Sequence, residues 1–155
     1  MANSTSNQTV TLLVRVGSRC CALPLESVVE TMRPLPARPI QNMPPFVSGL
    51  ATIRGSSVPV VDLGVLFGSK SEERARFVLL RLGEQRVAVA VDEVLGVRRL
   101  DNSALQSFPP LLQDAYAELV TAIEVRDQQF MFVLGSTHIV PDDVWQRLQS
   151  SEVTP

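Results

Sequence analysis

The sequence is short of the residues from which catalytic and metal sites are usually built. Its 155 residues include two cysteines and a single histidine, His138. A lone histidine is most often a surface or packed residue, so we expect neither a metal nor a catalytic role for it. No serine lies in a nucleophile-elbow pattern, and no glycine-rich phosphate loop is present. The sequence therefore predicts no catalytic residue, no bound metal and no cofactor.

An excess of basic residues and long apolar runs are also missing. The chain has 14 basic and 16 acidic residues, whereas a nucleic-acid-binding protein usually carries a basic excess or a basic stripe. No apolar run reaches the ~20 residues that span a bilayer. The polar N-terminus has no basic start or apolar segment typical of a secretory signal. We therefore expect no nucleic-acid partner, no direct membrane insertion and a cytoplasmic location.

The two cysteines are adjacent, at Cys20 and Cys21. Neighbouring residues on a strand point to opposite faces and rarely form a disulfide with each other. We expect one thiol in the core and the other on the opposite face, in a reducing cytoplasm. A vicinal redox switch is the alternative.

What the sequence does contain is enough apolar residues for a core, at 45%, and a pattern of short β-runs. Alternation and turn residues predict a mostly β fold. The expected strands are 10–16, 19–24, 50–54, 57–62, 77–82, 86–91, 95–100, 120–126 and 129–134. Short helices are expected at Glu26–Thr31 and Leu63–Phe67, with a longer one at Pro141–Leu148. Because proline cannot donate to a sheet ladder, we expect the strand that holds Pro59 to be bulged or at an edge.

The most informative segment, 47–67, is predicted to be a hairpin with the turn Arg54-Gly55-Ser56-Ser57. Glycine at position 55 can adopt a positive φ without steric cost. Arg54 then lies at the lip of the hairpin, where it can either pair with a local carboxylate or contact a partner protein. We expect Asp62 to be structural, bonded to nearby backbone N–H groups or to Arg54.

Two segments recur in the same order along the chain. The residues Leu25–Val29 align with Val91–Leu95, and each set follows an apolar strand. The residues Val47–Gly55 align with Val120–Asp127, and each set precedes an apolar strand. We infer an internal duplication that gives two similar β-lobes, with chance similarity between hairpins as the alternative. Many short strands separated by turns are typical of closed barrels.

These motifs, in this order, resemble those of CheW-type chemotaxis coupling proteins. The family's hairpin has a glycine, an apolar pair, an Arg-Gly turn, and then apolar-Pro-apolar-apolar-Asp-Leu. The matching residues here are Gly49, Leu50, Arg54, Gly55, Val58, Pro59, Val60, Val61, Asp62 and Leu63. The segment Ala22–Glu30 resembles the family's early strand and short helix, and Val87–Leu100 resembles its later strand. The resemblance spans roughly residues 10–148.

The resemblance implies a fold of two small SH3-like, five-stranded β-barrel lobes packed together, with short helices and a C-terminal helix. Residues 9–149 would form a single CheW-like domain with a hinge near 68–76. We expect residues 1–8 and 150–155 to be a disordered N-terminus and a disordered tail.

The resemblance also implies a non-catalytic adaptor that couples methyl-accepting chemoreceptors to a CheA-type histidine kinase, associated with membrane receptor arrays. Its partners would be the regulatory domain of the kinase and the signalling tip of the receptor. The implied protein-binding residues are Val28, Glu30, Gly49, Arg54, Gly55, Val87 and Val89. Two alternatives stay open: the same adaptor role in an array that controls pili or a cyclic-dinucleotide enzyme, and an unrelated small ligand-binding β-barrel.

Overall fold

The computed structural model describes residues 8–70, 73–106, 120–126, 129–135, 140 and 142–153. The strands in these ranges are β1 Gln8–Val16, β2 Arg19–Pro24, β3 Val28–Met32, β4 Ala37–Arg38, β5 Val47–Ile53, β6 Ser56–Asp62, β7 Arg76–Leu82, β8 Gln85–Val91, β9 Glu93–Asp101, β10 Val120–Arg126 and β11 Gln129–Leu134. The helices are α1 Leu63–Leu66 and α2 Asp142–Val153, with 3-10 helices at Leu25–Ser27 and Asn102–Ala104. His138 and Pro141 lie outside the described residues.

The strands form two sheets, which confirms the prediction of a mostly β fold. The five-stranded sheet has the order β10-β11-β2-β1-β9, and the six-stranded sheet has the order β3-β7-β8-β6-β5-β4. The sixth strand, β4, is only two residues long, because Pro36 and Pro39 flank it and cannot donate to a ladder. The chain passes between the sheets after β2 and again after β8.

Both sheets curl so strongly that their far ends meet. Neighbouring strands lie about 4.8 Å apart, so the outer strands of a flat five-stranded sheet would be roughly 19 Å apart. Here Arg98 on β9 pairs with Glu124 on β10 at 3.2 Å. In the other sheet, Glu30 on β3 pairs with Arg54 in the β5–β6 turn at 2.8 Å. Among the described strands, these ion pairs rather than ladder hydrogen bonds join the two ends.

The described residues form three apolar cores. One lies inside the six-stranded sheet and is formed by Ala51, Ile53, Val58, Val60, Phe77, Leu79, Ala88 and Ala90. A smaller one lies inside the five-stranded sheet and is formed by Ala22, Leu100, Met131 and Val133. The largest, which we call the middle core, combines residues of both sheets with Val144 and Leu148 of α2.

The two cysteines follow the expected alternation. Cys21 is fully buried in the middle core, and Cys20 packs on the core inside the five-stranded sheet. Both are free thiols. Burial raises the pKa of Cys21 to about 12, and burial also raises the pKa of Cys20. Both thiols are therefore protonated at neutral pH and poorly reactive.

The sheets share one topology, which supports the inferred duplication. Replacing β3, β7, β8, β6 and β5 by β9, β1, β2, β11 and β10 converts one strand order into the other. In both sheets the central pair is parallel, β6 with β8 and β11 with β2. In the five-stranded sheet, the hairpin β1–β2 comes from the first part of the chain, and β9, β10 and β11 come from the last part. In the six-stranded sheet, β3, β5 and β6 come from the earlier repeat, and the hairpin β7–β8 comes from the later one. The two repeats have therefore exchanged hairpins, and we call the duplication swapped.

Irregularities in the ladders repeat as well. The register shifts by one residue at Val29 in β3 and at Leu95 in β9. It shifts again at Ser48 in β5 and at Thr121 in β10. Val29 aligns with Leu95 in the sequence repeat, so the bulges match residue for residue. Chance similarity between hairpins does not explain matching bulges and matching strand order together.

One of the helices predicted from the sequence is wrong. The helix expected at Glu26–Thr31 is one 3-10 turn followed by β3. The β-branched residues Val28, Val29 and Thr31 favour a strand, and β3 pairs with β7. Residues 150–153 belong to α2, and the disordered terminal segments stay predictions. The segment 68–76 connects α1 to β7 within the six-stranded sheet, and its role as a hinge stays a prediction.

Candidate functional site

The tip of the β5–β6 hairpin is a two-residue turn in which Arg54 and Gly55 both have positive φ, at 52° and 81°. Positive φ at both positions is the pattern of a type I′ turn, whose twist matches that of the flanking strands. The turn is thus two residues shorter than the sequence analysis predicts. An arginine in the left-handed region is uncommon, and at Arg54 this conformation is accompanied by a specific side-chain contact.

The guanidinium of Arg54 forms a bidentate ion pair with Glu30. Nε donates to Oε2 and Nη2 donates to Oε1, both at 2.8 Å. These hydrogen bonds hold the pKa of Glu30 below its usual value. The Arg54 side chain is 69% exposed and that of Glu30 is 28% exposed. The pair is therefore a surface feature, and it brings together two of the predicted binding residues.

A bulge in β3 explains why Glu30 reaches this pair. Val28 is opposite Leu80 and Glu30 is opposite Leu79, so Val29 is the extra residue. In a regular strand, positions 28 and 30 would share a face. With the extra residue, Val28 packs against the middle core, while Glu30 points to the other face. Val29 itself remains 46% exposed.

A second arginine, Arg86, lies near the ion pair. Arg81 and Arg86 are directly opposite each other in the β7–β8 ladder, and Arg86 is close enough to Glu30 to help lower its pKa. Like charges placed directly opposite one another are unfavourable in a sheet. Arg54 and Arg86 thus both lie near Glu30 at this end of the six-stranded sheet.

An open groove of about 400 Å³ adjoins the arginines and runs between the sheet and α2. Its walls combine apolar side chains with serines and charged groups from the two hairpins. The lining residues are Leu50, Ser56, Ser57, Val58, Pro59, Glu84, Gln85, Arg86, Trp145 and Leu148. An apolar floor beside a charged rim is a suitable surface for a protein segment.

Three of the predicted binding residues are not on the surface. Val87 and Val89 are 0% exposed and contribute to the middle core, because β8 is an interior strand with both faces covered. Gly49 is also buried, and a β-carbon at this position would collide with the backbone carbonyl of Arg38. Glycine is needed here for an approach by the chain's own β4, not for an open surface. By contrast, the space around Gly55 is open.

A buried ion cluster was not predicted from the sequence. Asp62 caps α1 by accepting from the N–H of Val65 at 3.2 Å, and it also accepts from Nε of Arg74 at 2.9 Å. Arg74 in turn contacts Asp92 at 3.2 Å. The structural role expected for Asp62 fits these contacts, but its arginine is Arg74 and not Arg54. The three residues have no motif spacing, so no sequence signal identifies them.

In the ranges that the structure describes, no three side chains of metal-ligand type cluster together. No helix in those ranges has both the length and the apolar character that crossing a bilayer requires.

A family model described as the CheW-like domain matches residues 11–143. Protein FrzA of Myxococcus xanthus is 36% identical over 108 residues, which cover 67% of this chain and 66% of FrzA. Chemotaxis protein CheA of Cereibacter sphaeroides is 32% identical over 103 residues, covering 62% of this chain and 14% of CheA. Across FrzA and two matching CheW proteins, the aligned part spans only 62% to 66% of the relative's length.

The fold also matches a solved structure, that of the scaffolding protein TtCheW from Thermoanaerobacter tengcongensis. The TM-score is 0.74 at 19% sequence identity, and the match covers 88% of this chain and 94% of that one. This likeness concerns the fold of two curled sheets described above.

Proposed function

This chain belongs to the CheW-like domain family, and from that premise we propose that it is a non-catalytic coupling protein of a chemosensory array. It joins the signalling tip of a methyl-accepting chemoreceptor to the regulatory domain of a CheA-type histidine kinase. It is cytoplasmic and associates with the membrane through its receptor. It supplies binding energy and orientation, while the kinase carries out the chemistry.

The observation that carries the proposal is the exposed Glu30–Arg54 pair on a family member. Bidentate pairing preorganises the guanidinium, so less side-chain freedom is lost when a partner binds. Arginine is enriched among the residues that dominate protein interfaces. The half-buried Glu30 and exposed Arg54 form a fixed polar edge beside exposed Val29. This edge fits the register-setting role that we assign to Glu30 and Arg54 at the receptor.

The receptor surface that we propose combines this edge with apolar residues next to it. A helical hairpin requires an apolar floor and a few charges that set its register. Val29 supplies exposed apolar area, and half-buried Val28 precedes it in β3. Gly49 supports this surface from below, by allowing β4 to pack against β5. Gly55 keeps the Arg54 turn in its left-handed conformation.

The kinase surface that we propose does not use the side chains of Val87 and Val89, because both are buried. The groove beside α2 is the better candidate, since Trp145 and Leu148 line it together with Arg86. Aromatic anchors inside an apolar groove with a polar rim are typical of protein interfaces. Part of a CheA protein matches this chain in sequence, which supports an interface in which the kinase contributes a domain of the same fold.

Isothermal titration calorimetry with the cognate kinase regulatory domain and with a receptor signalling fragment tests the proposal. We expect affinities on the order of micromolar for each. Arg54→Ala should weaken receptor binding, and Trp145→Ala should weaken kinase binding. Val97→Ser on the opposite sheet is a control for general surface effects. Absence of binding to both partners at about 100 micromolar would refute the coupling function.

A further inference from the structure

The buried side chain of Arg74 connects two parts of the chain at the second crossover, where the chain passes from the six-stranded to the five-stranded sheet after β8. The first crossover is the corresponding passage after β2. The Arg74 side chain is 5% exposed. Its Nε donates to Asp62 at 2.9 Å, and its Nη1 donates to Asp92 at 3.2 Å. Asp62 is the last residue of β6, and Asp92 lies between β8 and β9, where the chain leaves the six-stranded sheet for the five-stranded one. A single guanidinium therefore holds both carboxylates.

Asp92 continues the connection into the five-stranded sheet. Its Oδ2 accepts from the backbone N–H of Gly17 at 2.6 Å, and its own N–H donates to the carbonyl of Arg15 at 2.9 Å. Gly17 forms the turn between β1 and β2, and Arg15 lies on β1. An unbroken series of hydrogen bonds thus runs from the end of β6 to the first hairpin of the other sheet.

The surrounding residues are shaped for this arginine. A β-carbon at position 64 would collide with the guanidinium of Arg74, so Gly64 provides the space in which the side chain lies. Among the described residues, two carboxylates face Arg74, and the second of them also lies 3.9 Å from Arg15. A buried charge is tolerated only when it is paired and hydrogen-bonded in this way.

The first crossover is held differently, although the duplication makes it equivalent. Glu26 aligns with Asp92 in the sequence repeat, but it is exposed on a 3-10 helix and pairs with no basic side chain in the described part of the chain. Leu25 and Val28 hold this crossover by packing against the middle core. The ionic connection is therefore present at only one of the two crossovers.

We propose that the Asp62–Arg74–Asp92 cluster is a pin that sets the orientation of the two sheets relative to each other. Apolar contact between the sheets, such as the stacked rings of Phe67 and Phe132, is non-directional and permits small rotations. A planar guanidinium bonded to two carboxylates fixes both distance and angle. The pin thereby holds the five-stranded sheet in one orientation relative to the six-stranded sheet, whose surface carries the Glu30–Arg54 pair.

Residual dipolar couplings of the backbone amides in weakly aligned, ¹⁵N-labelled full-length protein test this inference. They report the orientation of each sheet through its alignment tensor, and no partner protein is needed, so the result is independent of the proposed function. In the wild-type protein, the strands of both sheets should fit one common tensor. In Arg74→Met, the two sheets should require tensors that differ in size or orientation beyond the fitting error.

The matched control is Arg98→Met, which breaks the Arg98–Glu124 pair inside the five-stranded sheet and should keep a common tensor. If Arg74→Met does not fold, Asp92→Asn replaces it, because it retains an acceptor for Gly17 but removes the charge that faces Arg74. A common tensor in the tested cluster variant would overturn the inference. Separate tensors in the wild type, or equal separation in Arg98→Met, would also overturn it.

Discussion

At the scale of single residues, the most consequential contact is the one between Arg54 and Glu30, which are 24 positions apart. It depends on a positive φ at Arg54 and on the extra residue Val29 in β3. Neither feature contributes to a hydrophobic core. Both serve to place two charged groups at the surface in a fixed geometry, which suits recognition better than stability.

A double-mutant cycle can separate these two roles. Arg54→Ala and Glu30→Gln should each lower receptor affinity about tenfold or more, which is the size typical of an interface hot spot. Because the pair acts as a unit, the double variant should lose little more than either single variant. The melting temperature should stay close to that of the wild type, since the pair is exposed to solvent. A large drop in melting temperature without a loss of affinity would make the pair structural.

A second prediction at this scale concerns Gly49. It has a φ of 145°, and a β-carbon would collide with the carbonyl of Arg38. Gly49→Ala should therefore destabilise the fold by about 2–4 kcal/mol, through backbone strain and displacement of β4. Urea denaturation measures the change. Gly55→Ala is the matched control, because its φ is also positive but nothing crowds it, and it should cost only about 1 kcal/mol. Equal losses in both variants would show that crowding at Gly49 is unimportant.

A local pattern shows that Arg54 is a turn arginine, and the resemblance to the family then predicts it as a binding residue. The sequence does not predict Arg74, whose carboxylate partners are 12 and 18 positions away and whose burial depends on the sheets meeting. The interface predicted for Val87 and Val89 has the same cause, because burial by the chain's own sheets is not visible in a local pattern. A strand with apolar residues at 87, 89 and 91 has the same local pattern whether a partner or the chain itself covers it.

At the scale of elements, strands were easier to predict than the short segments between them. Alternation and turn glycines locate β1, β2, β7 and β8 to within a few residues. The prediction of a helix at Glu26–Thr31 is wrong because pairing with β7 decides the conformation of the five residues of β3. The strand that holds Pro59 was expected to be bulged or at an edge, yet β6 lies between β8 and β5, and the bulge in its ladder with β5 is at Ser48 of β5. Its pairing with β8 begins only at Val60, so the missing donor of the proline causes no loss there.

The core inside the six-stranded sheet gives a prediction at this scale. Val60 is 2% exposed there, so Val60→Asp would bury an unpaired carboxylate and should cost about 4 kcal/mol or more. Loss of the thermal transition or of the dispersed amide spectrum would show this unfolding. Val97, which is 62% exposed on β9, provides the comparison, because Val97→Asp should change stability by only about 0.5 kcal/mol. If the Val60→Asp protein folds, the core inside the six-stranded sheet must tolerate a hydrated carboxylate.

At the scale of the whole molecule, the pin predicts a specific response to pH. Burial alone would raise the pKa of Asp92, but hydrogen bonds from Gly17 and Arg74 outweigh it and hold the pKa below its ordinary value of 3.8. A carboxyl whose pKa is lower in the folded state stabilises the fold fully above its unfolded pKa. That contribution is lost as the pH falls through the folded-state value.

Asp92→Asn should therefore be less stable than the wild type at pH 7, and the difference should shrink as the pH falls below about 5. Denaturant midpoints of both proteins, measured from pH 7 down to pH 3, test this. Because the carboxylates outside the cluster are the same in both proteins, the comparison isolates the cluster that contains Asp92. A difference that is constant with pH, or one that grows in acid, would contradict the assigned contacts.

The swapped duplication also determines the order in which this protein can acquire structure as it is synthesised. The hairpin β1–β2 leaves the ribosome before the other described strands, yet the residues of β9 and β11 that pair with it are encoded 78 to 111 positions later. Until they emerge, both edges of that hairpin are unpaired, and an isolated two-stranded hairpin is at best marginally stable in water. Contacts so distant in sequence also make folding slow. We therefore expect the nascent chain to expose strand edges for most of its synthesis and to depend on chaperones in the cell more than an unswapped pair of barrels would.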